Sequence, residues 1–180
     1  TLEGRLDKAI EVAAKRGWTN LSPKGEAWDK TFVPWKFQDD AVESVRPASQ
    51  KVSFSFSSNF EDDYAVDWDY DNATNNYKRI MGGTPHKDLL TEAQITKKNV
   101  IVQFTKEEVS IDENKHMYYE VVGSGTGLLF QNGEATKINW KKTTKTSRTI
   151  FTDQKTGKEV ELVKGPVWIE FLGIGSDVTY

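Results

Sequence analysis

The sequence predicts an α+β protein in which one amphipathic helix precedes a mainly antiparallel β domain, closed as a sandwich or a strongly coiled sheet. Three observations carry this. Apolar residues recur at helical spacing near the start, at Leu2, Leu6, Ala9, Ile10, Ala13 and Ala14. Beyond residue 50 the apolar residues alternate with polar ones or form short runs, the period of strands. Gly, Asn, Asp and Pro punctuate these runs at short intervals, as in an antiparallel meander. The chain divides accordingly into residues 1–50, a helix and linker forming the tail of an upstream domain, and residues 51–180, the β domain.

In the helix, Glu3, Asp7, Lys8, Glu11, Lys15 and Arg16 cover the polar side, and Gly17 supplies a C-terminal stop. Residues 18–37 carry Trp28, Phe32, Trp35 and Phe37 around Pro23 and Pro34 and read as a packed linker. Residues 39–50 form a polar joint. Val52, Phe54 and Phe56 alternate with serines in the first clear strand, and Asn59 to Asp63 turns the chain. From Tyr64 to Tyr70 aromatic and apolar residues occupy one parity, and Asp63 to Asp71 the other. That pattern sets rings on one face of a strand and carboxylates on its back. Tyr77 to Met81 returns after a turn at 72–76.

A loop, Gly82-Gly83-Thr84-Pro85-His86-Lys87-Asp88, follows, and Leu89 to Thr96 is ambiguous between loop and helical turn. Val100-Ile101-Val102 reads as a central strand and Met117 to Val122 as the next. The glycines at 123, 125 and 127 suggest a flexible bend or bulge between strands. Asn132-Gly133 between apolar runs predicts a type I′ hairpin. A second hairpin is expected from Thr149 to Val163, and the last strand is Val167 to Phe171.

With 180 residues, 37% hydrophobic and 28% charged, the chain is long enough for one good core. No apolar run approaches the ~20 residues of a membrane-spanning helix. The absence of cysteine excludes disulfides, thiolate catalysis and cysteine-based zinc sites. The chain begins at Thr1 with no signal or lipidation motif, which suggests a processed or trimmed product. An N-terminal threonine can act as a nucleophile, but nothing here supplies supporting lysine geometry.

The candidate chemistry is sparse. Asp67, Asp69 and Asp71 begin a calcium-loop pattern, yet its sixth position is Asn72 rather than Gly and its twelfth is Lys78 rather than Glu. They read as a solvated strand face whose repulsion a cation, or lysines on a facing strand, would relieve. His86, with Asp88 two residues on, could be a general base or a local hydrogen-bonding group. No nucleophile is marked beside it, and a two-histidine metal site would require His116 to converge on it. Residues 123–127 lack the Gly-Lys-Ser/Thr ending of a phosphate loop.

Trp28, Trp35, Trp68, Trp140 and Trp168 could form a carbohydrate platform or a core. Trp140, ahead of Lys141 and Lys142, is the one expected to be partly exposed. Residues 137–164 carry a net charge of +5, whereas residues 39–71 carry −7. The basic end could attract an anionic polymer or lipid surface, or the two regions could pair. Nucleic acid is not expected, because no recognition helix or stacking motif accompanies the charge.

The run Asp67-Trp68-Asp69-Tyr70-Asp71, then Tyr77-Lys78-Arg79, Gly83 and Pro85-His86-Lys87-Asp88, is the start of a longer pattern. It continues through Asn99 to Gln103, Gly123-Ser124-Gly125, Asn132-Gly133, Trp140-Lys141-Lys142, Thr149 to Asp153, Gly157 to Val160 and Gly165 to Ile169. In order and spacing it resembles the C-terminal domain of the YerB-like lipoproteins, a bacterial family of unknown function (DUF3048). The helix with Gly17-Trp18 is similar to the tail of that family's first domain. The resemblance implies an exported protein with two α+β subdomains, on the outer surface of Gram-positive bacteria and often lipid-anchored. It implies no activity. The lipidation cysteine is absent from this chain, so any membrane contact is expected only through an anchor outside it.

The reading is therefore a non-catalytic envelope module that binds a wall polymer or a protein partner, with no cofactor. Its candidate binding residues are Trp68, Tyr70, His86, Lys87, Asp88, Trp140, Lys141 and Lys142. The alternative is an accessory part of a hydrolase-like envelope enzyme, with a site near His86 and Asp88 or in an upstream domain.

Overall fold

The computed structural model describes residues 5–19, 21–27, 29–57, 61–108, 112–114 and 116–180. Thr1, Leu2, Glu3, Trp28 and Asn59, which the sequence singles out, lie outside them. The chain divides into two compact units, Thr1–Pro34 and Trp35–Tyr180.

The first unit contains helix α1 (Leu6–Lys15). It ends as its sequence requires. Gly17 takes φ +64°, and the Trp18 amide donates to Ala13 O at 2.9 Å, so a left-handed residue closes the last turn.

The second unit is built of strands β1 (Lys36–Gln38), β2 (Lys51–Ser55), β3 (Ala65–Asp71), β4 (Asn76–Met81), β5 (Thr84–Pro85), β6 (Thr96–Lys97) and β7 (Asn99–Thr105). It continues with β8 (Glu107–Glu108), β9 (Tyr118–Tyr119), β10 (Gly123–Gln131), β11 (Glu134–Lys142), β12 (Ile150–Asp153), β13 (Glu161–Val163) and β14 (Val167–Gly173). One large sheet runs β2-β3-β4-β5 with β6 also on β4, a second runs β12-β11-β10-β7-β14, and the pairs β1-β13 and β8-β9 form two small sheets of their own. Among the described residues no helix is long and apolar enough to cross a membrane.

The predicted α+β class holds, as a β-rich unit with sheets packed face to face. Val52, Val66, Trp68, Tyr70 and Tyr77 from the first sheet form one core with Val100, Val102, Leu128, Phe130 and Leu172 from the second. The second sheet buries its other face as well. Ile101, Leu129, Ile138, Trp140 and Phe151 pack there with Leu162 of β13 and with Trp35. This double burial explains the continuous apolar run at Val100–Val102.

Three details depart from the sequence reading. The strands are mainly antiparallel, as expected, but not a pure meander: β14 pairs parallel with β7, and, in a separate two-stranded sheet, β13 parallel with β1. Residues 36–38 thus belong to the β unit rather than to the linker, and the division of the chain falls ahead of residue 50. The expected second hairpin is reduced to a bridge between Thr152 and Glu159, because β13 pairs with β1 instead. Finally, Gly123 to Gly127 is not a bend. It is the regular start of β10, paired with Lys142 to Ile138. Gly125 and Gly127 make room rather than flexibility, while Gly123 takes φ +141°. A Cβ at Gly125 would meet the Trp140 ring nitrogen at 2.7 Å, and one at Gly127 would meet Val102 O at 2.4 Å.

The polar joint ties the two hairpin ends together. Asn132 and Gly133 adopt φ +54° and +75°, as a type I′ turn requires. Asn75 donates to Asp40 and Asn132, both at 2.8 Å, and accepts from the Tyr70 hydroxyl at 2.8 Å. The Gly133 amide donates to the Tyr77 hydroxyl at 3.1 Å.

Candidate functional site

Two charged residues occupy positions where the strand pattern calls for apolar ones. Arg79 shares the inward parity of β4 with buried Tyr77, and Glu170 the inward parity of β14 with buried Leu172. Their side chains retain only 3% and 5% of their exposure and meet across the sheets, Arg79 Nε to Glu170 Oε1 at 3.2 Å. The Trp68 indole N–H donates to the same carboxylate oxygen at 3.2 Å. The guanidinium lies against the Trp68 and Trp168 rings, 5.7 and 5.2 Å from their centroids. A buried charge persists only when paired and hydrogen-bonded, and this one is held on every side. Neither residue was a candidate in the sequence, where Arg79 figures only in the family pattern. The legible signal was a charge at the apolar parity of a strand.

His86 is fastened to this cluster. Arg79 Nη1 donates to His86 Nδ1 at 2.6 Å, so that nitrogen is an acceptor and the ring proton sits on Nε2. The backbone adds His86 N to Arg79 O at 3.0 Å and Ile95 N to His86 O at 2.8 Å. Burial, and then the Arg79 charge, push the His86 pKa below its ordinary value, partly opposed by Glu170. The unfolded ring therefore takes up a proton before the folded one does. Stability that is fully present above the unfolded pKa of about 6.5 falls as pH drops through the lower folded value. Urea midpoints measured from pH 7 down to pH 5 should decline in the parent and stay flatter in His86→Gln. An equal decline in both would exclude His86 as the source.

Asp88 does not face His86's ring as a catalytic partner. Its Oδ1 accepts from the Leu90 and Thr91 amides and the Thr91 hydroxyl at 3.2, 2.9 and 2.9 Å. These bonds hold its carboxyl below the usual range and explain the ambiguous stretch 89–96 as a side-chain-capped turn. Lys87 is exposed beside it. His116 pairs with Asp112 in its own loop at 2.6 Å.

The aspartate row of β3 is neutralised by lysines. Asp67 takes Lys51 at 3.0 Å and the Ser53 hydroxyl at 2.5 Å; Asp71 takes Lys78 at 2.6 Å. Asp69 stands in register between Lys51 and Lys78. Among the described residues no three histidine or acidic side chains converge as a metal site. The basic and acidic regions meet directly at Lys164 and Asp39, 2.7 Å apart.

The aromatic candidates are core. Trp68, Tyr70 and Trp140 keep 0, 7 and 3% of their exposure. Trp140 was expected nearer the surface. It is buried because Gly125 leaves space for its ring and Phe104 O accepts its N–H at 2.9 Å. Lys142, on the same strand, turns to the Ser147 carbonyl.

Lys141 points the other way, into a groove that opens to solvent. Cross-strand register places Ser124, Lys141 and Ile150 in one row, and Thr126, Asn139 and Thr152 in the next. These six line a groove of about 480 Å³ on β10, β11 and β12. It is the continuation of the sheet face whose other end, Leu128 and Phe130, packs against the opposite sheet.

Comparison with known proteins agrees with this architecture. No curated protein matches the chain. A solved structure similar to it is the crystal structure of the YerB protein from Bacillus subtilis, with a TM-score of 0.70 at 21% identity. The match covers 97% of this chain and 54% of that one, so the chain spans about half the length of YerB. At that identity the likeness concerns the fold. Residues 54–169 match the C-terminal domain of a family described as protein of unknown function (DUF3048), and with well over half its length in that match the chain belongs to the DUF3048 family.

Proposed function

We propose that this chain is a non-catalytic binding module of the bacterial cell envelope, taking a wall polymer or a protein partner on the groove of β10–β12. The observation that supports this is the contrast between the two candidate regions. Near His86, Arg79 is spent on Glu170 and His86 and Asp88 on its own turn, and Lys87 stands exposed beside them. The side chains of Ser124, Thr126, Lys141 and Thr152, in contrast, bond to no other described residue and stand open to solvent or a ligand. The reading as an accessory to a hydrolase gains no support from His86 and Asp88, which hold structure rather than a reactive pair.

Co-sedimentation with Gram-positive wall sacculi tests the proposal. Retention on sacculi stripped of protein supports a polymer ligand. Retention only on unstripped sacculi supports a protein partner. No retention on either, or solubilisation of the sacculi, overturns the reading.

A further inference from the structure

Resting on that reading, we infer that the β10–β12 groove takes an anionic, hydroxyl-rich polymer, with Lys137 and Lys141 as its anion contacts. Lys141 lines the groove, and Lys137 projects from the same face of β11 just beyond it, four residues away, which is about 13 Å along the strand. Both are exposed, and neither forms an ion pair with another described residue. The three rows of this face are Ser124–Lys141–Ile150, Thr126–Asn139–Thr152 and Leu128–Lys137. No acid stands on any of them. Elsewhere in the β unit lysines such as Lys51, Lys78 and Lys98 are matched to aspartates. The positive charge of this groove is therefore left for something outside the chain.

Between the rows of the two lysines lie the hydroxyls of Thr126 and Thr152 and the Asn139 amide, while Ser124 and Ile150 flank Lys141 in its own row. Hydroxyls and amides suit the hydroxyls of a polyol or sugar, whereas an isolated anion would not need them. Three strands give a track about 10 Å wide, enough for a single extended chain. A duplex nucleic acid is a poorer fit, because no helix or loop rises from the face to enter a groove.

Titration with poly(glycerol phosphate), followed by backbone amide shifts, tests this, with neutral dextran and duplex DNA as comparators. Binding of poly(glycerol phosphate) should shift amides of β10–β12. Two ammonium–phosphate contacts should make affinity fall about five- to tenfold between 50 and 200 mM salt. Lys137→Ala/Lys141→Ala should lose most of the affinity and that salt dependence, while Lys15→Ala/Lys24→Ala, which removes equal charge elsewhere, should change neither. Both doubles alter exposed residues, and unchanged unfolding midpoints would verify that the fold survives. The inference is overturned if Lys137→Ala/Lys141→Ala binds like the parent, if dextran or DNA binds as tightly, or if the shifts map elsewhere. In those cases retention on stripped sacculi would still uphold the broader function; loss of retention as well would sink both.

Discussion

Glu170→Leu should lower stability by about 3–5 kcal/mol, the largest effect of a single substitution we expect, because it strands Arg79 as an unpaired buried cation. Leucine is close in size, so the loss reads the charge rather than a cavity. Arg79 cannot turn to water: it is enclosed by Trp68, Trp168 and Met81, and its remaining polar contact is a neutral His86. Trp68 loses its acceptor at the same time. The double variant Arg79→Met/Glu170→Leu should recover most of the loss, since replacing both members of a buried pair by apolar groups is often near neutral. Urea unfolding of the four proteins completes the cycle. A single-variant cost under about 1 kcal/mol would put the pair among surface bridges in energetic terms and refute its role as the pin between the sheets.

Gly127→Ala should cost about 3 kcal/mol, the upper end of overpacking, and lower Tm by about 6–12 °C. The added methyl would sit 2.4 Å from Val102 O, and that oxygen is backbone of the neighbouring strand. A side chain could rotate away; a strand carbonyl in a five-stranded sheet cannot move without disturbing β7 and its pairing to β14. Thr126→Ala, one residue earlier on the exposed face, should stay within about 0.5 kcal/mol. Similar thermal midpoints for both variants would revive the view of residues 123–127 as a yielding bend.

The same region shows where sequence reading succeeds and where it stops. The alternation at 66–71 was legible because period two is a property of one strand alone, and Val66, Trp68 and Tyr70 are buried while the aspartates are not. Asn132-Gly133 was legible because its backbone demand is local. Gly125 and Gly127 were misread because a glycine that bends a strand and one that admits a neighbour look alike in sequence. The deciding atoms belong to Trp140, Phe104 and Val102. Trp140 was misplaced for the same reason. The parallel partners of β7 and β1 lie more than sixty residues away, beyond any local pattern. Of the candidate site, Lys141 was identified from the basic stretch, but its companions Ser124, Thr126 and Thr152 were not, because only register brings them into two rows.

The strand ends that frame the unit bear on where the autonomous piece of this protein starts and stops. The family match spans residues 54–169. Buried Val52, and the Ser53 backbone that exchanges hydrogen bonds with Thr179, lie before it; Glu170 and buried Leu172 lie after it. β1 lies earlier still, yet it completes the pairing of β13. A fragment cut at the limits of the match would leave Arg79 without its counter-ion and β13 without its partner. The unit of folding is wider than the stretch by which the family is recognised, because β1 and parts of β2 and β14 lie outside that stretch.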